Sequence, residues 1–105
     1  MKNHKELILK LNECASACQH CSDACLDEED VSHMINCIRL DRDCADICRL
    51  TSQLLSRGSD QVEKLIDVCE AICRKCAEEC EKHDNEHCKK CATACRECEE
   101  ACKMA

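Results

Sequence analysis

The sequence predicts an all-α protein, an antiparallel up-down-up-down four-helix bundle with a cysteine-lined core. Three observations carry that prediction. The chain of 105 residues has no Pro and one Gly, so little interrupts helix over long stretches. Its sixteen Cys recur at intervals of three and four, the period of one helix face. Three short polar runs, LDEED (26–30), SRGSD (56–60) and KHDNEH (82–87), divide it into four stretches of similar length. Links this short join antiparallel neighbours, and the whole length, residues 1–105, suits one domain.

The first helix, near 4–26, sets Leu7, Leu11, Cys14, Cys18, Cys21 and Cys25 on one stripe. LDEED ends it because that run lacks periodic apolar positions, and Asp30 is the expected N-cap of the second helix, near 31–57. The second inward stripe reads His33, Cys37, Asp41, Cys44, Cys48, Thr51 and Leu55. Gly58 supplies the stop, since Gly accepts the left-handed conformation at a helix end, and Ser59 or Asp60 is the next N-cap. The third helix, near 60–82, contributes Val62, Leu65 or Ile66, Cys69, Cys73, Cys76, Cys80 and His83. Asp84 or Asn85 caps the fourth, near 85–103, which carries Cys88, Cys91, Cys95, Cys98 and Cys102. Each stripe alternates three and four, the seam of a bundle.

Antiparallel topology turns these stripes into a gradient. The links near 28 and 84 fall at one end, and the link near 58 falls with both termini at the other. Leu7, Leu11, Leu54, Leu55, Val62, Leu65 and Ile66 gather at the terminal end and are expected to close it. His33, Met34, His83 and His87 gather at the opposite end. The middle is sulfur, so the expected object is a vessel with one imidazole-rimmed mouth.

Composition requires the sulfur to sit inside. With no Phe, Trp or Tyr, only 21 Val, Ile, Leu and Met remain for a conventional core, so Cys must occupy core positions as a small buried group. A disulfide scaffold is the reading for a secreted chain of this composition, but the start MKNHKELILKLNECASAC has neither a long apolar run nor a small-residue cleavage site. Parallel Cβ vectors along one helix also fit disulfide geometry poorly. The expectation is a cytoplasmic protein with reduced thiols. No stretch is apolar enough to span a bilayer, and a net charge of −7 without a basic stripe argues against nucleic acid.

The Cys spacing carries chemistry. Seven CxxxC and four CxxC pairs each set two sulfurs on one helix face. From Cys14 to Cys25 is about 16 Å of axis, so the sulfurs form a column rather than one compact cage. Structural zinc needs four ligands in a tetrahedron, and each four-thiolate site would bury net negative charge with few donors nearby. Iron–sulfur clusters likewise take four thiolates. Cu(I) favours thiolate and is served by fewer ligands, so bridging sulfurs could accommodate on the order of 16 ions. Each cuprous ion replaces one thiol proton, leaving the interior charge nearly unchanged. The candidate metal ligands are therefore Cys14, Cys18, Cys21, Cys25, Cys37, Cys44, Cys48, Cys69, Cys73, Cys76, Cys80, Cys88, Cys91, Cys95, Cys98 and Cys102. His33, His83 and His87 each stand three or four residues from a Cys and join the set as ligands or as residues that pass metal inward. Met34 offers a thioether or lies buried under the link. Asp41, in register between Cys37 and Cys44, contacts metal or accepts hydrogen bonds, with Arg39, Arg42 or water the preferred partner. His4 and His20 fall off the stripes and are surface residues.

A weaker aliphatic stripe, Ile35, Ile38, Leu40, Ile47, Leu50 and Leu54 with Val68 and Ile72, cannot all fit inside a sulfur-filled bundle. Apolar surface of this kind marks an interface, and a homo-oligomer is expected.

The stretches CIRLDRDCADIC (37–48) and CEAICRKCAEECEKHDNEHCKKCATAC (69–95), with the repeated CxxxC pairs, resemble the bacterial copper storage proteins, cytosolic branch. The resemblance covers residues 12–104. It implies a four-helix bundle whose inward Cys bind many Cu(I) ions, a homotetramer, and a role in copper storage, homeostasis and detoxification, with copper donor or acceptor proteins as partners. It also implies that His33, His83 and His87 admit copper at the open end. A zinc or mixed-metal thiolate buffer and an iron–sulfur electron-transfer protein are the competing readings. Catalysis is not expected, because the chain shows no acid, base or nucleophile constellation beyond its thiols.

Overall fold

A computed structural model describes residues 4–105. Among the described residues the chain forms α1 (Lys5–Cys25), a 3-10 turn (Val31–Met34), α2 (Ile35–Ser56), α3 (Val62–Cys80) and α4 (Glu86–Lys103). Helix α1 packs on α2 and α4, and α3 packs on α2 and α4, so the four helices stand in a square with sequence neighbours side by side. The bundle is long and narrow, 48 × 17 × 17 Å. Its slenderness follows from side-chain size: Cys lines the interior, and buried Ala15, Ala45, Ala77 and Ala92, one per helix, allow close backbone approach.

The turn after α2 shows why Gly58 stands where it does. Gly58 has φ of 67°, its N–H bonds to the Leu55 carbonyl, and the Ser59 N–H reaches back to the Leu54 carbonyl. That paired closure satisfies the last carbonyls of α2 and needs a left-handed residue.

Other boundaries differ from expectation. Neither Ser59 nor Asp60 is the N-cap of α3; that position is Gln61, whose N–H donates to Ser59 Oγ at 3.2 Å. Asn85 does hold the N-cap of α4, in extended conformation, but through its carbonyl rather than its side chain. Asp30 caps only the 3-10 turn: its carbonyl takes the His33 N–H and its carboxylate the Ser32 hydroxyl, at 2.6 Å. Residues 31–34 therefore turn by three per repeat instead of 3.6, which rotates the stripe by one position. Met34 takes the inward place expected for His33, and His33 is exposed.

The terminal end holds Leu7, Leu11, Leu55 and Ile66 in the core, with Thr51 fully buried above them. It is not sealed throughout. A cavity of about 650 Å³ lies there, lined by Val62, Ile66, Cys102 and carboxylates including Glu63, Asp67 and Glu70. On the outer faces, Ile35, Leu50 and Val68 are exposed, and Ile38, Leu40, Ile47 and Ile72 are partly buried against the core.

Candidate metal centre

All sixteen Cys are free and buried, and Cys102 alone retains measurable exposure, 4%. Helix geometry sets the spacing along each stripe: Sγ atoms four residues apart lie 4.0 Å from one another in Cys14/Cys18, Cys21/Cys25 and Cys44/Cys48. Bundle packing makes the contacts between helices as close. Cys18 is 3.6 Å from Cys95, Cys37 3.6 Å from Cys80, Cys44 3.7 Å from Cys73, and Cys48 3.7 Å from Cys69.

These contacts assemble groups of four donors whose atoms all lie within 4.8 Å of one another. They include Cys14/Cys44/Cys48/Cys73, Cys14/Cys18/Cys44/Cys95, Cys18/Cys76/Cys91/Cys95, Cys48/Cys69/Cys73/Cys98 and, at the mouth, Cys21/Cys25/His87/Cys88. The first four share members: Cys14, Cys18, Cys44, Cys48, Cys73 and Cys95 each belong to two. Isolated tetrahedral sites cannot fill overlapping groups at once. Ions that accept bridging thiolates can, which is the coordination habit of a soft monovalent metal.

Asp41 is the residue the sequence misjudged. It pairs with neither Arg39 nor Arg42, both exposed on the outer face of α2. Its side chain is fully buried, and its Oδ1 accepts from Cys76 at 3.2 Å, Cys91 at 3.3 Å and Cys80 at 3.6 Å, while Oδ2 lies 3.7 Å from Cys37. Among the described residues, sulfur contacts within 4.0 Å fall into a mouth set (Cys21, Cys25, Cys37, Cys80, Cys88) and a deeper set that runs from Cys91 and Cys18 down to Cys69 and Cys98; Asp41 touches both. Its inward register was the available signal, and a charged residue on a thiol stripe had no surface partner to reach. Burial, and then repulsion from Cys91, Cys76 and Cys37, push its carboxyl up to about 11, so it is a neutral hydrogen-bonding group at neutral pH. Burial likewise pushes the Cys88 thiol up to about 12 and raises Cys25. In the metal-free protein Cys25 and Cys88 therefore hold their protons until a metal displaces them, whereas hydrogen bonds from Cys21 and Cys80 lower the Cys37 thiol.

The three histidines separate into different environments. His87, on the first turn of α4, points Nδ1 into the mouth set, 3.3 Å from Cys21 Sγ and 3.6 Å from Cys88 Sγ, while its Nε2 lies 2.8 Å from Glu28 Oε2. His83, in the turn after α3, is buried with Nε2 3.0 Å from Glu79 Oε2. The exposed His33 ring packs edge-on against His83, with centroids 5.2 Å apart. In the four-donor groups named above, the histidine that joins the thiols is His87.

Comparison with known proteins agrees on one family. A family model described as copper storage protein matches residues 1–105. A cysteine-rich protein of Bacillus subtilis, YhjQ, is 44% identical over 77 residues, covering 73% of this chain and 71% of the relative. The solved structure of the Cu(I)-bound copper storage protein BsCsp3 superposes with a TM-score of 0.93 at 40% identity, covering 96% of this chain and 95% of that one. A cytosolic copper storage protein from Streptomyces lividans, determined with five coppers, gives 0.91 at 41% identity over 94% of this chain and 88% of the other.

Proposed function

The chain belongs to the copper storage protein family, and from that premise we propose that residues 1–105 form a single unit storing many Cu(I) ions on its inward thiols in the cytoplasm. The ligands in this reading are the sixteen cysteines, with His87 completing the outermost group alongside Cys21, Cys25 and Cys88. His83 and His33 stand outside that group and hand copper to it. Each arriving cuprous ion takes the place of one thiol proton, which leaves to solvent, so the interior gains no net charge. Ions then move by exchange between neighbouring sulfurs within each set and cross from the mouth set to the deeper one beside Asp41, which touches Cys37 and Cys80 of the first and Cys76 and Cys91 of the second. Storage proceeds without catalysis, and copper donor or acceptor proteins meet the molecule at the histidine end. The exposed Ile35, Leu50 and Val68 support assembly into a homotetramer through the faces of α2 and α3.

The observation that carries this reading is the sharing of sulfurs among overlapping four-donor groups. Zinc or an iron–sulfur cluster would use separate sets of four, and among the described residues no Lys or Arg is buried to offset the charge of four thiolates. The test is anaerobic titration of the fully reduced protein with Cu(I). The expected end point is on the order of 16 ions per chain. Saturation near four would overturn copper storage in favour of tetrahedral metal sites.

A further inference from the structure

We propose that Glu28 is a positioning residue for copper capture: by accepting the Nε2–H of His87 it holds the imidazole in the tautomer whose Nδ1 lone pair faces Cys21, Cys25 and Cys88. The proposal rests on the reading that His87 receives copper at the mouth.

A neutral imidazole carries one N–H and one lone pair, and the partner of one nitrogen decides which it is. A carboxylate accepts and does not donate. With Glu28 Oε2 at 2.8 Å from Nε2, the proton belongs on Nε2; placing it on Nδ1 would set a lone pair against a carboxylate oxygen. Nδ1 is then left bare where the thiols are, 3.3 Å from Cys21 and 3.6 Å from Cys88. A metal-binding histidine held through its far nitrogen by a carboxylate has its ring direction fixed and its ligand nitrogen made more basic.

The placement of Glu28 adds a second reason. It lies in the link between α1 and the 3-10 turn, fifty-nine positions from its partner, and its side chain is one-third exposed where that of His87 is 13% exposed. The carboxylate thus lies on the solvent side of the ring and the thiols on the other. His83 has a carboxylate too, but Glu79 is one turn away on its own chain segment, and no thiol group of four includes His83 among those described above. Glu28 instead ties the link 26–30 across the mouth to α4, so the tautomer of His87 and the position of the link are set by one contact.

Nitrogen-15 NMR of the reduced, metal-free protein reads the tautomer, and stopped-flow transfer of the first equivalent of Cu(I) from its bicinchoninate complex reads capture. In the parent protein His87 is expected protonated at Nε2 and bare at Nδ1. In E28L the Nδ1–H form grows and first-equivalent transfer slows by about 10-fold. E28Q, whose amide oxygen can still accept from Nε2–H, recovers part of both. In an H87A background E28L has no further effect on the rate. The proposal is overturned if the His87 tautomer is the same in E28L, or if E28L slows transfer as much without His87 as with it. Failure of the underlying reading looks different: H87A alone would take up its first equivalent of Cu(I) at the rate of the parent protein.

Discussion

The two ends of the sulfur column are built from different materials although the same helices run through both. At the histidine end the cover consists of links, 26–30 and 81–85, with His33, His83, His87 and two carboxylates that grip imidazoles, Glu28 and Glu79. At the terminal end it consists of side chains on the helices themselves, Leu7, Leu11, Leu55 and Ile66, with Thr51 turned away to bond the Ile47 carbonyl at 2.7 Å. The first cover offers lone pairs and polar surface, so a cation can exchange water for protein ligands step by step. The second offers hydrocarbon, which gives a cation nothing in return for its hydration shell. The difference teaches how the proposed function divides between the two materials: in that reading the thiols set capacity and the covers set direction. The terminal cover is incomplete, since Cys102 lines a cavity there together with His4, Lys103 and the carboxylates of Glu63, Asp67 and Glu70, but none of these stands in the four-donor thiol groups named above.

The comparison breaks if the aliphatic end is unimportant to stability. Leu11 is fully buried beneath the lowest thiols, and little else in this bundle is large and apolar. L11A is expected to destabilise the metal-free, reduced protein by about 2–5 kcal/mol, the transfer cost plus that of an unfilled cavity. Urea unfolding measures it. A loss below about 1 kcal/mol would mean that this end is already loosely packed and that the terminal cover is no plug.

The boundary between mouth and depth is tested through Asp41. Its folded-state carboxyl titrates near 11 against an ordinary 3.8, so between those values the folded chain holds a proton that the unfolded chain has released. The sign follows: this group's contribution is complete in acid and is lost as pH rises, by up to about 1.4 kcal/mol per pH unit. Urea midpoints of the metal-free protein from pH 5 to 8 should fall with a steeper slope than those of D41N, whose neutral side chain makes no such change. Parallel slopes would show that Asp41 is charged in the folded chain and solvated, contrary to its burial among thiols.

The column itself was legible in the sequence because period and composition point the same way. Cys at three-and-four spacing with no aromatic competitor leaves one arrangement in which every stripe is buried, and Leu7 through Cys25 of α1 sit as the stripe requires. Gly58 was legible for the same reason, since only one residue in the chain accepts its backbone conformation without strain. What escaped was whatever depends on a local departure from the 3.6 repeat or on contacts distant in sequence. Met34 replaced His33 because four residues wind as a 3-10 turn, which no single side chain announces. Glu28 was invisible as a partner because nothing in LDEED distinguishes it from its acidic neighbours until the fold brings it to His87. Asp41 was in plain register, yet its ordinary preference for arginine outweighed a pattern that made it one more member of the sulfur stripe.

Direction is the remaining half of the comparison, and in the proposed reading the histidines carry it. Replacing His33, His83 and His87 together with Ala removes all three imidazoles at the mouth but leaves every thiol of both sets. Transfer of the first equivalents of Cu(I) from a chelator should slow by roughly 10–100-fold, as for loss of a supporting ligand, while the anaerobic end point stays near that of the parent protein. The sharper outcome lies in how the two measurements diverge. If the end point fell with the rate, the imidazoles would be storage ligands and the mouth merely the top level of the store. If neither changed, copper would be reaching the thiols elsewhere, and the cavity beside Cys102 is the place where a thiol at the opposite end meets open space. A slow rate with a full end point is the result that makes one end a gate and the other a wall.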